Sequence, residues 1–147
     1  MDTQKGMPWT DAYLLGHARM DDTHREFVSA VDRMLTCADA EFPAAMRAFI
    51  EHVEAHFAEE KALMEATDFP STSCHVDDHD AVYKSALEVE PLVVAGNIEI
   101  GRKFAEALSS WFPSHADYLD SALSHWVVKR STGGKPVVLR RNLVVER

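Results

Sequence analysis

Phe49-Ile50-Glu51-His52-Val53-Glu54-Ala55-His56-Phe57-Ala58-Glu59-Glu60-Lys61-Ala62-Leu63-Met64 is the stretch whose spacing decides the fold. Its apolar residues Phe49/Ile50, Val53, Phe57 and Leu63/Met64 recur at steps of three and four, which is the signature of one buried helical face. His56 and Glu60 fall on that same stripe. Residues four apart on a helix stand about 40° apart around the axis and about 6 Å along it, so an imidazole and a carboxylate project together into the core. Burying either alone is costly, so the pair calls for a common partner. His52 lies four residues before His56 on the same flank, and Glu59 adjoins Glu60, so spacing alone leaves both as competitors. The apolar residues flanking His56 and Glu60 at core spacing favour those two.

The pattern repeats on either side. From Asp21, the residues His24, Phe27/Val28, Val31, Met34/Leu35 and Ala38 trace a first helix. A link at Ala40 to Pro43 follows, with Pro43 in a tolerated first-turn position. Asp68 to Ser73 breaks the second helix, and the hydroxyls of Ser71 to Ser73 are expected to cap the third. That third stripe reads His75, His79, Val82, Ala86, Val89 and Val93, with Pro91 expected to kink or shorten it and Gly96-Asn97 to stop it. The fourth reads Ile100, Phe104, Ala107/Leu108, Trp111, His115, Tyr118/Leu119 and Ala122, continuing towards Trp126, with Pro113 expected to bend it before His115.

Four amphipathic helices on short links predict an all-α, up-down-up-down four-helix bundle over residues 21–129. Residues 1–20, with Pro8, Trp9, Tyr13, Leu14, Leu15 and Gly16, form an aromatic arm expected to lie across it. Residues 130–147 are read as a Ser131-Thr132-Gly133-Gly134 linker and a short, basic, β-prone C-terminal tail from Pro136.

With 147 residues, 46% apolar and 27% charged, the chain has the composition of one soluble domain rather than of a disordered protein. Its net charge of −9 repels polyanions and anionic lipid, so neither nucleic acid nor membrane is expected as a partner. Cys37 and Cys74 form no Cys-x-x-Cys, which argues against a thiolate metal site and fits a reducing compartment. No apolar run approaches the roughly 18 residues of a membrane helix, and no export signal is evident, so the expected location is cytoplasmic. The anomaly is eight histidines, several of them on buried stripes.

Each helix brings a ligand type to the centre: His24 on the first, His56 and Glu60 on the second, His75 and His79 on the third, His115 on the fourth. Asp120 is harder to place. It stands five residues after His115, about 140° around a regular helix, so spacing alone does not pair the two, and Pro113 upstream does not repair that angle. Imidazole and carboxylate together suit iron, manganese or zinc. His52-Val53-Glu54-Ala55-His56 approximates a zinc hydrolase helix, but its glutamate is one place late for His-Glu-x-x-His. The Glu-x-x-His pairs of ferritin-like di-metal proteins are absent.

Taken in order, Asp21-Asp22-Thr23-His24, His56-Phe57-Ala58-Glu59-Glu60, His75-Val76-Asp77-Asp78-His79 and His115-Ala116-Asp117-Tyr118-Leu119-Asp120 resemble the haemerythrin family, over about residues 7–129. The up-down-up-down topology is that family's own, so resemblance and helix count form one expectation rather than two. The resemblance implies a non-haem di-iron centre that binds dioxygen reversibly, in an oxygen carrier, storage or delivery protein. His75, His79 and His115 would hold one iron, and His24 and His56 the other. Glu60, Asp120 and an oxo or hydroxo group would bridge them, leaving one position open on the iron with two histidines. The apolar oxygen pocket falls by similarity at Phe27, Phe57, Trp111 and Phe112, with Ala116 where the family often has a branched aliphatic residue. No polar groups that would position a substrate are readable nearby, which favours binding over turnover and a protein that is not an enzyme. The alternatives are a di-iron redox enzyme, oxidase or peroxidase-like, a sensor of oxygen, nitric oxide or redox state using the same centre, and a metal-free buried polar network. A monomer is expected, its C-terminal tail offering a surface for a protein partner.

Overall fold

The N-terminal arm reaches the first helix through Asp21. This carboxylate accepts the backbone N–H groups of Leu15 at 2.7 Å and Gly16 at 3.2 Å, so it ties the arm down rather than opening the helix. Helix α1 therefore begins earlier than the stripe suggested, at Ala18, and runs Ala18–Thr36 with His17 as its cap, the imidazole accepting from Met20 N–H. The computed structural model describes residues 6–131; the expected β-prone tail and most of its linker lie outside them.

Helix α2 spans Phe42–Ala66, with Pro43 in its first turn as expected, after a short turn of 3₁₀ helix at Asp39–Glu41. Its end is a Schellman turn. Asp68 takes a positive φ of 53°, Phe69 N–H bonds Met64 C=O at 3.0 Å and Asp68 N–H bonds Glu65 C=O at 3.3 Å. Helix α3, Thr72–Val94, is not capped by a Ser71 side chain as expected; the Thr72 hydroxyl instead donates to Phe69 C=O at 2.7 Å.

Pro91 does not shorten α3. It sits on the exposed face, where water can satisfy the carbonyl it orphans, and the helix continues to Val94. The stop comes at Gly96, as predicted: φ is 111°, Gly96 N–H bonds Val93 C=O, and Asn97 N–H bonds Leu92 C=O, both at 2.9 Å. Asn97 then caps α4, Ile98–His115, by accepting Ile100 N–H at 3.1 Å. Pro113, likewise exposed, is carried within α4. A π-helical turn, Ala116–Asp120, follows and leads directly into α5, Ser121–Ser131, so the predicted fourth helix is one rod of three segments.

Helices α1 to α4 pack as neighbours around a square, α1 on α2, α2 on α3, α3 on α4 and α4 back on α1, with less contact across the diagonal. This is the predicted four-helix bundle. A large apolar cluster fills one end, built on Phe27, Val31, Met34, Phe42, Phe49, Ile50, Ala86, Leu108 and Phe112. A smaller one, Leu15, Met20, Met64, Phe69 and Leu123, closes the other. On α1, His24 lies between Met20 of the smaller cluster and Phe27 of the larger, and on α2 His56 and Glu60 lie between Val53 of the larger and Met64 of the smaller. The arm seals one side: Met7 N–H bonds Asp32 at 2.8 Å, the Tyr13 ring stands edge-on to Phe112, and Leu15 C=O accepts from the Ser124 hydroxyl at 3.1 Å. Among the described residues no helix is long and apolar enough to cross a membrane.

Candidate metal centre

Between the two apolar plugs, four helices converge on a layer of seven polar side chains. His24, His56, Glu60, His75, His79, His115 and Asp120 are each no more than 5% exposed. Their ligand atoms form two groups, Glu60, His75, His79, His115 and Asp120 in one and His24, His56 and Glu60 in the other, each tight enough to hold a metal ion.

The two carboxylates divide their oxygens between the groups. Glu60 Oε2 lies 2.9 Å from His56 Nε2 and 3.2 Å from His24 Nε2, while Oε1 lies 3.4 Å from both His75 Nε2 and His79 Nε2. Asp120 Oδ1 lies 2.9 Å from His75 Nε2 and 3.1 Å from His115 Nε2, while Oδ2 lies 3.2 Å from His24 Nε2. Each carboxylate thus faces both sets of imidazoles at once, Glu60 meeting His75 and His79 on one side and His24 and His56 on the other, and Asp120 meeting His75 and His115 on one side and His24 on the other.

Asp120 reaches this position because of the π turn. Ser121 N–H bonds Ala116 C=O, the wider i→i+5 closure, and a backbone closing every five residues brings residues five apart onto one face. The 140° separation expected of a regular helix therefore does not apply to His115 and Asp120.

Electrostatically the layer is balanced by protons in the absence of metal. Burial opposes charge on every member. At His24 the neighbouring Asp120 and Glu60 overcome it and raise the imidazole pKa to about 10; at His75 the same two carboxylates raise it to about 9. Glu60 and Asp120 are held below the usual carboxylate range, against their burial, by the imidazoles of His56, His24 and His75 for Glu60 and of His115, His24 and His75 for Asp120. Burial wins at His79, lowering its pKa to about 3. Its Nε2 faces His115 Nε2 at 3.1 Å, two ring nitrogens converging on one point.

Protons leave the layer incompletely satisfied. Glu60 Oε1, both oxygens of Asp120 and Nε2 of His75 are buried and make no aligned hydrogen bond, although His75 Nε2 and Asp120 Oδ1 are only 2.9 Å apart. Each buried, unsatisfied polar atom costs about 1–3 kcal/mol, and such atoms rarely gather by chance. Cations between the two sets of imidazoles would engage all four, so these residues fit metal ions.

The aromatic residues named from the sequence surround the layer. Phe27 stands edge-on to His56 with ring centres 5.9 Å apart, and Phe112 edge-on to His24 at 5.3 Å. Phe57 stacks flat on His79 at 3.9 Å and Trp111 on His115 at 4.3 Å. Ala116 is buried beside His115 and lines a half-open pocket of about 150 Å³ between the arm and the end of α4, with Ala12, Tyr13, Leu15, Pro113 and Asp117. Glu59 points away from the layer to Arg19, which it meets at 2.6 Å. One outer contact escaped the sequence reading: His115 Nδ1 donates to Asp78 Oδ2 at 2.7 Å across helices, and spacing within α3 gives no hint of it. His52, expected at the surface or behind the ligands, has its Nε2 3.1 Å from His56 Nδ1, outside the cluster that it competed to join.

A four-helix bundle with a buried histidine and carboxylate layer able to hold metal defines a class of cation-binding helical proteins. The comparisons sharpen this. The family model described as the hemerythrin HHE cation binding domain matches residues 15–126. A protein of Ralstonia nicotianae (strain ATCC BAA-1114 / GMI1000) named bacteriohemerythrin is 38% identical over 122 residues, covering 83% of this chain and 89% of that one. Crystal structures of wild-type hemerythrin and of a point mutant each superpose with a TM-score of 0.74 at 21% identity, covering 82% of this chain and 97% and 96% of theirs. The chain belongs to the haemerythrin family.

Proposed function

We propose that this chain binds dioxygen reversibly at a non-haem di-iron centre, as an oxygen carrier, storage or delivery protein rather than an enzyme. His75, His79 and His115 would hold one iron and His24 and His56 the other, with Glu60 and Asp120 as the carboxylates shared between them and an oxo or hydroxo group expected with the pair. The observation that carries this reading is the division of each carboxylate's two oxygens between the three-histidine and two-histidine sets. Once bound, the two iron ions supply the electrons that dioxygen binding requires.

The protein's own residues supply the rest. The two-histidine side has fewer donors and is bordered by the apolar rings of Phe27 and Phe112, a surface suited to a small neutral gas and poor for water. Phe57 and Trp111 lie flat on His79 and His115 and hold those rings in place. Ala116 completes the apolar lining beside His115. The negative carboxylates offset the cations, which keeps burial tolerable.

The test is to load the protein with ferrous iron without air, admit oxygen, and follow the ultraviolet and visible spectrum through an inert-gas purge. Two irons per chain and bands that come with oxygen and vanish on purging are expected. Irreversible conversion to a ferric form would replace this reading with a redox enzyme, and absence of bound iron would leave a buried polar network. Glu60→Ala should abolish paired iron while keeping the helical circular dichroism; two irons retained by that variant would remove Glu60 from the bridge.

A further inference from the structure

His52 was set aside as a ligand, yet its position is not that of an ordinary surface histidine. It lies one turn before His56 on α2, its side chain only 14% exposed, with ring centres 5.1 Å apart and the planes at 71°. Phe27 packs against both rings, 6.1 Å from His52 and 5.9 Å from His56, and limits how either can turn. His52 Nε2 is 3.1 Å from His56 Nδ1, and its own Nδ1 faces Glu26 Oε1 on α1 at 3.9 Å. A surface groove of about 450 Å³ between α1 and α2, lined by Thr23, Glu26, Glu51, His52 and Glu59 among others, reaches down to His56.

The protons follow from these distances. With a metal ion held at the group of His24, His56 and Glu60, His56 Nε2, which faces Glu60 Oε2 at 2.9 Å, would offer its lone pair to the ion, and the ring proton would then reside on Nδ1. That N–H would point at His52 Nε2 and be accepted there. The proton of His52 would accordingly sit on Nδ1, the nitrogen facing Glu26. In the metal-bound state a single contact fixes both tautomers. On the other side of the layer His115 Nδ1 donates to the carboxylate of Asp78 at 2.7 Å. The two halves thus differ in their outer support, a carboxylate behind a three-histidine ligand and a neutral imidazole behind a two-histidine one. A carboxylate partner raises the donor strength of its imidazole more than a neutral partner does.

We infer that His52 is a positioning residue for the two-histidine half of the centre: it takes the Nδ1–H of His56, holds that ring with Nε2 inward, and links it to the solvent groove beside Glu26. This rests on the reading of His56 as a ligand. Outer-shell partners of this kind typically contribute roughly 10–100-fold to metal affinity.

The experiment compares the parent protein with His52→Gln, which keeps an acceptor, and His52→Leu, which keeps bulk without one. Each is loaded anaerobically with ferrous iron. Iron per chain, affinity in competition with a chelator, and the shifted, solvent-exchangeable ring N–H signals in the proton NMR spectrum are measured. For His52→Leu the weaker-bound iron should lose tenfold or more in affinity, and one ring N–H signal should shift and exchange with solvent faster. His52→Gln should restore both to near the parent. Parent-like affinity and signals in His52→Leu would overturn the inference while leaving the di-iron reading standing. Loss of one iron in both variants would overturn it too, because His52 would then be a ligand itself. A parent protein that binds no iron pair would overturn both readings together.

Discussion

His115 and Asp120 bring Nε2 and Oδ1 to within 3.1 Å of each other from positions five residues apart on one continuous helical rod. The π turn at Ala116–Asp120 makes this contact, and it places Asp120 Oδ2 towards His24 on the opposite side of the layer. A carboxylate so placed faces imidazoles of both groups, which fits the bridging role proposed for it. Asp120→Asn keeps the size and removes the charge and one oxygen acceptor. It should leave helicity unchanged by circular dichroism and reduce bound iron from two per chain to one or none by metal analysis. An unchanged pair at parental affinity would remove Asp120 from the bridge.

Without metal, the same layer makes stability depend on pH from both directions. His24 and His75 have folded pKa values of about 10 and about 9 against an ordinary 6.5, so their contribution is fully present below about pH 6.5 and is lost as pH rises through 9 and then 10. Glu60 and Asp120 are lowered, so their contribution is present above the ordinary carboxylate range and is lost as pH falls through their folded values. Metal-free protein should therefore be most stable near neutrality. Its denaturant midpoint should fall steadily towards pH 10, and metal loading should remove most of that alkaline loss because the imidazoles then no longer carry protons. A metal-free midpoint that is flat from neutrality to pH 10 would show that His24 and His75 are not protonated in the folded chain.

How much of this was readable in advance depended on which rule each residue obeyed. The stripes of α1 to α4 and the placement of His24, His56, Glu60, His75 and His79 followed from a regular helical period, because burial of apolar residues leaves little freedom once that period is set. Asp120 did not, since the 3.6-residue turn fails locally where Ser121 N–H reaches back to Ala116, and nothing in the composition of that segment signals the change. Pro91 did not shorten α3 for a different reason: it lies on the solvent face, where an orphaned carbonyl finds water, and the helix runs on to Val94. Asp78 lay beyond reach because its partner, His115, belongs to another helix.

Arg102 ties α4 to the end of α1. Its guanidinium donates to Met34 C=O at 3.0 Å, to Cys37 C=O at 2.7 Å and to Asp39 Oδ1 at 2.7 Å, and it lies 5.2 Å from the centre of the Phe42 ring. Two of these acceptors are carbonyls at a helix C-terminus, where a cation also meets the favourable end of the dipole. Arg102→Ala should destabilise the fold by about 1–3 kcal/mol, seen as a fall of about 2–4 °C in Tm for each kcal/mol, with iron content unchanged. Arg102→Lys should recover only part of this, because a single ammonium cannot reproduce the planar fork. A melting temperature unaltered in Arg102→Ala would mean that water replaces these bonds at no cost.

Ala116 offers a way to change the surroundings of His115 without touching any proposed ligand. It borders the half-open pocket of about 150 Å³ between the arm and α4, and the neighbouring walls at Ala12, Tyr13, Leu15 and Pro113 are largely apolar. A leucine there extends into space that is already present, and leucine is nearly as favourable as alanine in a helical backbone. At about 0.8 kcal/mol per buried methylene, Ala116→Leu should stabilise the chain by about 1–2 kcal/mol and raise Tm by several degrees. On the proposed oxygen-binding reading, a bulkier side chain next to His115 should also slow both dioxygen association and loss of the ferrous state in air, measured by stopped-flow absorbance and by the decay of the oxygenated spectrum. A lower Tm would show that the pocket cannot take the added carbons. A higher Tm with unchanged oxygen kinetics would show that gas reaches the centre by another path, past Phe27 and Phe112.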